Sequence, residues 1–418
     1  MIPLDKAIKL ILEDASPLDI ESIPVKHSFD RVLGKNIKSE LGIPRYNKTA
    51  IDGYAVLASD LVSVRPNKHI SLKLLGESKP GQIFDGTISK GESMKVTSGS
   101  RLPDGSDTVV KFEDVARTDA ENLNVYAMVK QWKNVIRAGR EVEPGENLMP
   151  QGRVLNAADV ARIAEVGYSE IEVYKKPKVG TVFIDEHPPE ESKEDDNSVT
   201  SLNQFLSSVI TQNGADYEFI GACNHDVKEF SNLMPSNGDY DNIIVMASQS
   251  IEDYNYLKNA FREIKIDLGF WRVAIKPGKS VLYGKFNKIP VFGISGNHWT
   301  AAVIFSQLIK PILAFQSGLR DMHRLEVIAR ITKELRTNPA MTNIFKAIVR
   351  TDTNGFTATP LLDNFAGELT SLSLANGHII IPPHTNSIRS GDKVRVEICG
   401  PIENSIEKKN GGGNKRKK

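Results

Sequence analysis

The sequence predicts a multidomain chain built on a doubly wound, three-layer α/β domain, accompanied by a β-rich domain, a helical or mixed domain and a C-terminal β-barrel-like domain. Three observations carry that expectation. Between residues 177 and 323, apolar runs of strand length alternate with runs of helical period, the pattern of a largely parallel sheet with helices on both faces. On either side, residues 43–133 and 324–402 change to short β-type runs broken by proline and glycine, as small β domains require. Finally, 418 residues, 40% apolar and 25% charged, are enough chain for several separate cores.

The chain opens with Leu4, Ala7, Ile8, Ile11 and Leu12 at helical spacing, an amphipathic helix ended near Ser16-Pro17. A second helical period, Leu155 to Ala164, precedes a strand at 170–174. Residues 1–42 and 134–176 therefore group as one elongated helical or mixed domain bracketing the β-rich residues 43–133. Within 43–133 the clearest strands are 71–75 and 108–112, punctuated by Pro80-Gly81 and Pro103-Asp104-Gly105. The α/β stretch reads strand 179–184, helix 201–212, strand 217–222, a helix from Asp226, strand 242–247 and helix 253–264, followed by further strands and a long helix ending near Gly318. Short strands return at 325–332, 345–351, 377–381 and 393–398, and residues 403–418, ending in glycines and lysines, read as a disordered basic tail.

Fifty-three basic residues against fifty-two acidic ones leave a formal charge of +1, so no overall field grips nucleic acid or an anionic membrane. An anionic ligand must be met by a local site. The two cysteines, Cys223 and Cys399, lack metal or redox spacing. With no signal-like start and no apolar run of about 18 residues, a cytoplasmic protein without membrane or nucleic-acid partners is expected. His187, His225 and His298 do not fall at the spacing of a helical zinc pair, and no Walker loop or strand-linked GxGxxG occurs.

One segment has the frame of an anion site. Residues 271–311 pass from a strand through the basic turn Lys276-Pro277-Gly278-Lys279, through two strand-like runs, to a Gly296-Asn297 turn that opens an apolar helix. Strand, glycine turn and helix N-terminus present backbone N–H groups and a positive dipole end to an anion. His298 and Trp299 stand where such turns usually carry small residues.

Around Asp52-Gly53, the run Pro44 to Val56 resembles the "SAMDGYA" motif of the molybdopterin molybdotransferase family, the bacterial MoeA proteins and the E domain of gephyrin. Phe29 to Gly34 resembles "ALGRVLAED", Lys95 to Val110 "RISTGAPLPEGADAVV", Gly139-Arg140-Glu141-Val142 "GEDV", Ala274 to Lys279 "AMKPGKP", and Leu374 to Pro382 "ANGLIVLP". These matches occur in the family's order and span nearly the whole chain.

The resemblance implies a molybdopterin-binding-type α/β domain, a homodimer, and insertion of molybdate into adenylylated molybdopterin with release of AMP, with Mg2+ at the site. It implies catalytic roles for Asp52, Glu141 and Glu186, and a cation held by Asp52, Asp185 and Glu186, hard oxygen ligands for a hard ion. For the pterin substrate and molybdate it implies contacts from Ser98, Ser248, Ser250, Lys276, Gly278, Lys279, Gly296 and Asn297.

Departures from the family pattern fall where that chemistry belongs. "STGDE" reads Val182 to Glu186, "DSN" reads Thr200-Ser201-Leu202, "SGGVSVGDYDY" reads Met246 to Tyr256, and "GLPGNP" reads Gly293 to His298. Side chains replace glycines where backbone would approach a phosphate. A second reading follows from these losses: a weakened or inactive paralogue that binds a pterin or nucleotide, or acts as a scaffold subunit.

Overall fold

The computed structural model describes residues 1–82, 84–184, 198–235, 239–247, 251–319, 325–362 and 368–404. The alternating stretch forms an α/β unit of β1 (Lys178–Ile184), α1 (Ser198–Gln212), β2 (Asp216–Cys223), α2 (Val227–Leu233), β3 (Asn242–Ala247), α3 (Ile251–Glu263), β4 (Asp267–Phe270), β5 (Leu282–Phe286), β6 (Ile289–Ser295) and α4 (His298–Gln316). Its strands lie in the order β2-β1-β3-β6-β5-β4. The first four run parallel, while β5 and β4 run antiparallel to their neighbours. The sheet is thus largely parallel, as the sequence predicts, with an antiparallel edge formed by β5 and β4. The cause is local: Asn287 and Lys288, both at positive φ, close β5 onto β6 as a two-residue hairpin.

Strands β1 and β3 are apolar along their length because helices cover both faces of the sheet. Val179, Phe183, Ile244 and Met246 pack beneath α1 and α4, while Val182, Ile184, Ile243 and Val245 meet Phe230, Leu257 and Phe261 on the other side. Helix α4 contains a π turn at Phe305–Ile309. By length and mean hydropathy it could cross a membrane, an exception to the expected lack of long apolar runs, but 78% of it is buried inside the protein. It is the central core helix.

The N-terminal helix Leu4–Glu13 places Ala7 and Ile11 in this same core, whereas the sequence groups residues 1–42 with 134–176. No local pattern states which domain an amphipathic stripe will meet. The later part of that segment does join 134–176: Ile20–Pro24 pairs with Glu170–Tyr174 and Ile37–Lys38 with Asn147–Met149. Leu33, Leu155, Ile163 and Val173 share one core there. The helix Ala157–Glu165 begins with a reciprocal capping box between Asn156 and Asp159.

Residues 53–125 contain a six-stranded sheet that includes Gly53–Val56, Ile70–Ser78, Glu92–Val96 and Thr108–Lys111. Near the C-terminus, Glu326–Ile331, Thr342–Asp352, Gly355–Pro360, Gly377–Ile381 and Lys393–Ile398 close into a five-stranded barrel, because Thr342–Asp352 pairs with both Gly355–Pro360 and Gly377–Ile381. Closure leaves no free edge. Asn376, nearly buried, accepts from the Val349 N–H and donates to the Val349 and Pro401 carbonyls, so the Ala375-Asn376-Gly377 motif locks the barrel. Glu403–Asn404 pair with Arg350 and Thr351, so the predicted tail begins later than residue 403; residues 405–418 lie outside the described residues.

Candidate active site

The chain leaves β1 for β2 on one side and then crosses to β3 on the other, which creates a topological switch point at the carboxyl ends of β1 and β3, the usual ligand position in such sheets. Asp185 and Glu186 follow β1, and Ser248 and Ser250 follow β3; all four lie outside the described residues. The third contributor is described in full. At the end of β6 the Gly296 N–H donates to the Ala247 carbonyl over 3.1 Å, and Asn297 caps α4 by accepting from the Thr300 N–H at 3.0 Å. A β-carbon on Gly296 would lie 2.6 Å from Thr300 Cβ, so this turn requires glycine for space.

His298, in the first turn of α4, places Nε2 3.0 Å from the Ser201 hydroxyl of α1 and its ring edge-on to Phe205, centroids 6.0 Å apart. His298, which departs from the family pattern, therefore meets Ser201, which keeps the pattern's serine. Together they tie the starts of α1 and α4 across the carboxyl edge of the sheet. A double-mutant cycle of His298→Ala and Ser201→Ala, read by urea unfolding, is expected to give a coupling of about 1 kcal/mol. Strict additivity would show that the contact contributes nothing.

The basic turn is held from two sides. Ile275–Lys276 pairs in parallel with Thr342 and Asn343 of the barrel, and the Thr342 N–H donates to the Ala274 carbonyl at 2.9 Å. Gly278, at φ 100°, lies against α4, where a β-carbon would come 2.5 Å from Ile304 Cδ1. Lys276 and Lys279 are exposed on this turn.

Sequence reasoning missed one further contributor. Lys346 lies three residues beyond Asn343 on the same strand, about 10 Å away at strand spacing, and is 7% exposed. Its ammonium donates to the Ser371 hydroxyl and lies 5.6 Å from the Trp299 ring centroid, a cation–π distance. Trp299 also meets His378 edge-on at 5.0 Å. Among the described residues, none of Lys276, Lys279 and Lys346 forms an ion pair, and a buried charge without a counter-ion is costly. Lysine on a strand ordinarily signals solvent, so only an odd partner, Trp299 in a helix-opening turn, hinted at the cluster.

The remaining predicted residues are elsewhere. Asp52 is exposed in the β-rich domain and accepts from the Ser98 N–H at 2.7 Å, while the Ser98 hydroxyl donates to the Ala50 carbonyl at 3.2 Å. Gly99, at φ 82°, makes the turn that aims this N–H at Asp52. Among the described residues, no hydrogen bond or ion pair joins Asp52 to the lysines or to Asn297. Glu141 is exposed and faces Arg162 at 3.7 Å, a surface pair that contributes little. No three carboxylates, histidines or cysteines converge on a metal position among the described residues. Of the three predicted cation ligands only Asp52 is among the described residues, Asp185 and Glu186 lying outside them.

Fold and geometry define a class: a four-part chain in which an α/β sheet ends in a glycine turn and helix N-terminus, beside a closed barrel that pairs with the Lys276 turn and carries Lys346. Residues 2–167 match the MoeA N-terminal region (domain I and II), and residues 329–399 match the MoeA C-terminal region (domain IV). The chain belongs to the MoeA family. It is 22% identical to a molybdopterin molybdenumtransferase of Staphylococcus aureus strain COL, over 94% of this chain and 95% of that protein, and 23% identical to one of Bacillus subtilis strain 168, over 94% and 93%. The molybdopterin biosynthesis MoeA protein of Pyrococcus horikoshii has the same fold, with a TM-score of 0.83 at 24% identity over 96% of this chain and 100% of that one.

Proposed function

We propose that this chain is a molybdopterin molybdenumtransferase that inserts molybdate into adenylylated molybdopterin with release of AMP. The observation that carries this is a set of three lysines that form no ion pair among the described residues: Lys346 beside Trp299 in the first turn of α4, and Lys276 and Lys279 on the turn that pairs with the same barrel strand. Molybdate is a dianion and the accepting dithiolene is also anionic, so bringing them together costs Coulomb energy that falls as fixed positive charge is supplied. Lys276 and Lys346 hold the oxyanion, while the Gly296-Asn297 turn and the dipole of α4 face the phosphate-bearing substrate.

Asp52 and Ser98 belong to a different domain from these lysines, which favours a homodimer in which the β-rich domain of one copy completes the neighbour's site. Free Cys223 and Cys399 suit a reducing cytoplasm. The four altered loops motivated the scaffold reading, yet the substituted His298 is met by the retained Ser201 rather than leaving a damaged turn, and similarity to the named transferases extends over 94% of the chain.

Complementation tests the function. The full chain is expected to restore cofactor-dependent enzyme activity in a strain lacking its molybdotransferase. An Asp52→Asn variant, which keeps an oxygen to accept from Ser98 but loses the charge, restores less. Well-folded wild-type protein that restores nothing would overturn the transferase assignment.

A further inference from the structure

A cavity of about 450 Å³ lies between the C-terminal half of α1, the middle of α4, the helix Glu368–Leu374 and the barrel strand Lys393–Ile398. It adjoins the strand-end site through Phe205 and His378, whose rings meet His298 and Trp299, but opens on the other side of them, where Val209, Phe305 and Lys310 line it. The size is that of a small-ligand pocket. Phe205, Phe305, Leu369 and Leu372 supply apolar wall.

Its polar groups have distinct roles. Glu397, 4% exposed, accepts at Oε2 from the Ser306 hydroxyl at 3.0 Å and from Gln307 Nε2 at 2.9 Å. Both donors sit in the π turn of α4, so that oxygen is committed to protein donors. His378, in register with Glu397 on the adjacent strand, is 5% exposed, and burial holds it neutral. Lys310 is different: it lines the cavity, is only partly buried, and forms no ion pair among the described residues. Its charge is felt at His378 and at Cys399, which places the ammonium toward the barrel side.

We infer that this cavity is a binding site for a small amphipathic carboxylate, its aryl or alkyl body against Phe205, Phe305 and Leu372 and its acid group on the Lys310 ammonium. An apolar wall with one ammonium that forms no ion pair among the described residues selects that class over neutral ligands, and the Glu397 carboxylate in the same wall limits the ligand to a single negative charge.

Calorimetric titration of the full-length protein with 4-phenylbutyrate and with 4-phenylbutan-1-ol tests this. The acid is expected to bind at least about tenfold more tightly than the alcohol, and Lys310→Met to abolish that difference without changing molybdate transfer. Phe205→Ala should weaken both ligands together. Cys399 lines the same cavity and is exposed as a residue while burial pushes its thiol up to about 11, and Cys223 is buried, so iodoacetamide at alkaline pH should alkylate Cys399 selectively and 4-phenylbutyrate should slow it. Equal binding of acid and alcohol by the wild type, a preference that survives Lys310→Met, or alkylation indifferent to the acid would each overturn the assignment. So would Cys399 protection that follows protein concentration alone, which would mean that a second copy covers the cavity.

Discussion

Replacing Lys346 with methionine is expected to lower the rate of molybdate transfer about 100-fold, the usual loss when one fixed donor to a reacting anion is removed, while the fold is retained or gains stability. Methionine reaches the same depth, and the residue is 7% exposed beside Trp299, so the apolar chain fills the space that the lysine stem occupied. No carboxylate loses a partner, because among the described residues the ammonium pairs only with the Ser371 hydroxyl and the Trp299 ring. Removing an uncompensated buried charge is neutral or favourable to folding. Loss of transfer with an unchanged melting temperature separates an anion contact from a structural one, and Lys346→Arg should recover much of the rate by preserving the charge. Wild-type transfer by the methionine variant would remove Lys346 from the site.

The second large effect concerns His378 and pH. Burial lowers its pKa from 6.5 to about 4, a nearby Glu397 works against that shift and Lys310 adds to it. The sign follows from linkage: above about pH 6.5 both folded and unfolded forms carry a neutral ring, and as pH falls below that value the unfolded chain takes up a proton that the folded chain refuses. Stability is therefore lost on acidification, by roughly 2 kcal/mol at about pH 4.5 from this group alone. His378→Phe should keep the edge contact with Trp299 and flatten that part of the profile. Urea unfolding of both proteins at about pH 7.5 and pH 4.5 provides the comparison. If the two lose the same stability between those values, His378 does not titrate as a buried neutral group.

The α/β unit was legible because strands buried on both faces become uninterrupted apolar runs, as in Asn242–Ala247, and because helices between them keep a 3.6-residue period. The basic turn and the Gly296-Asn297 cap were legible for the same kind of reason, since each depends on chemistry within a few consecutive residues. The barrel strand Gly355–Pro360 was missed: it is short, ends in proline, and acquires its strand character by pairing with Thr342–Asp352 and Glu326–Ile331. Lys346 and His378 were missed because their burial comes from elements far away in sequence. Strand residues 344, 346 and 348 would read as one face of a half-exposed ribbon, and only the packing of α4 and Glu368–Leu374 against the barrel encloses the lysine. Docking of the N-terminal helix onto the α/β core was equally invisible, as an apolar stripe records that it needs a partner and not which one.

The single strand Thr342–Asp352 holds Lys276 by backbone pairing through Asn343 and carries Lys346 itself. Because that strand is a stave of a closed barrel, the barrel acts as a ruler that fixes the interval between the two positive charges. The Gly296-Asn297 turn at the end of β6 belongs to the α/β sheet and not to the barrel. On the proposed function, the rim of the site can therefore change while the barrel alone sets the interval between the two ammonium groups offered to an oxyanion.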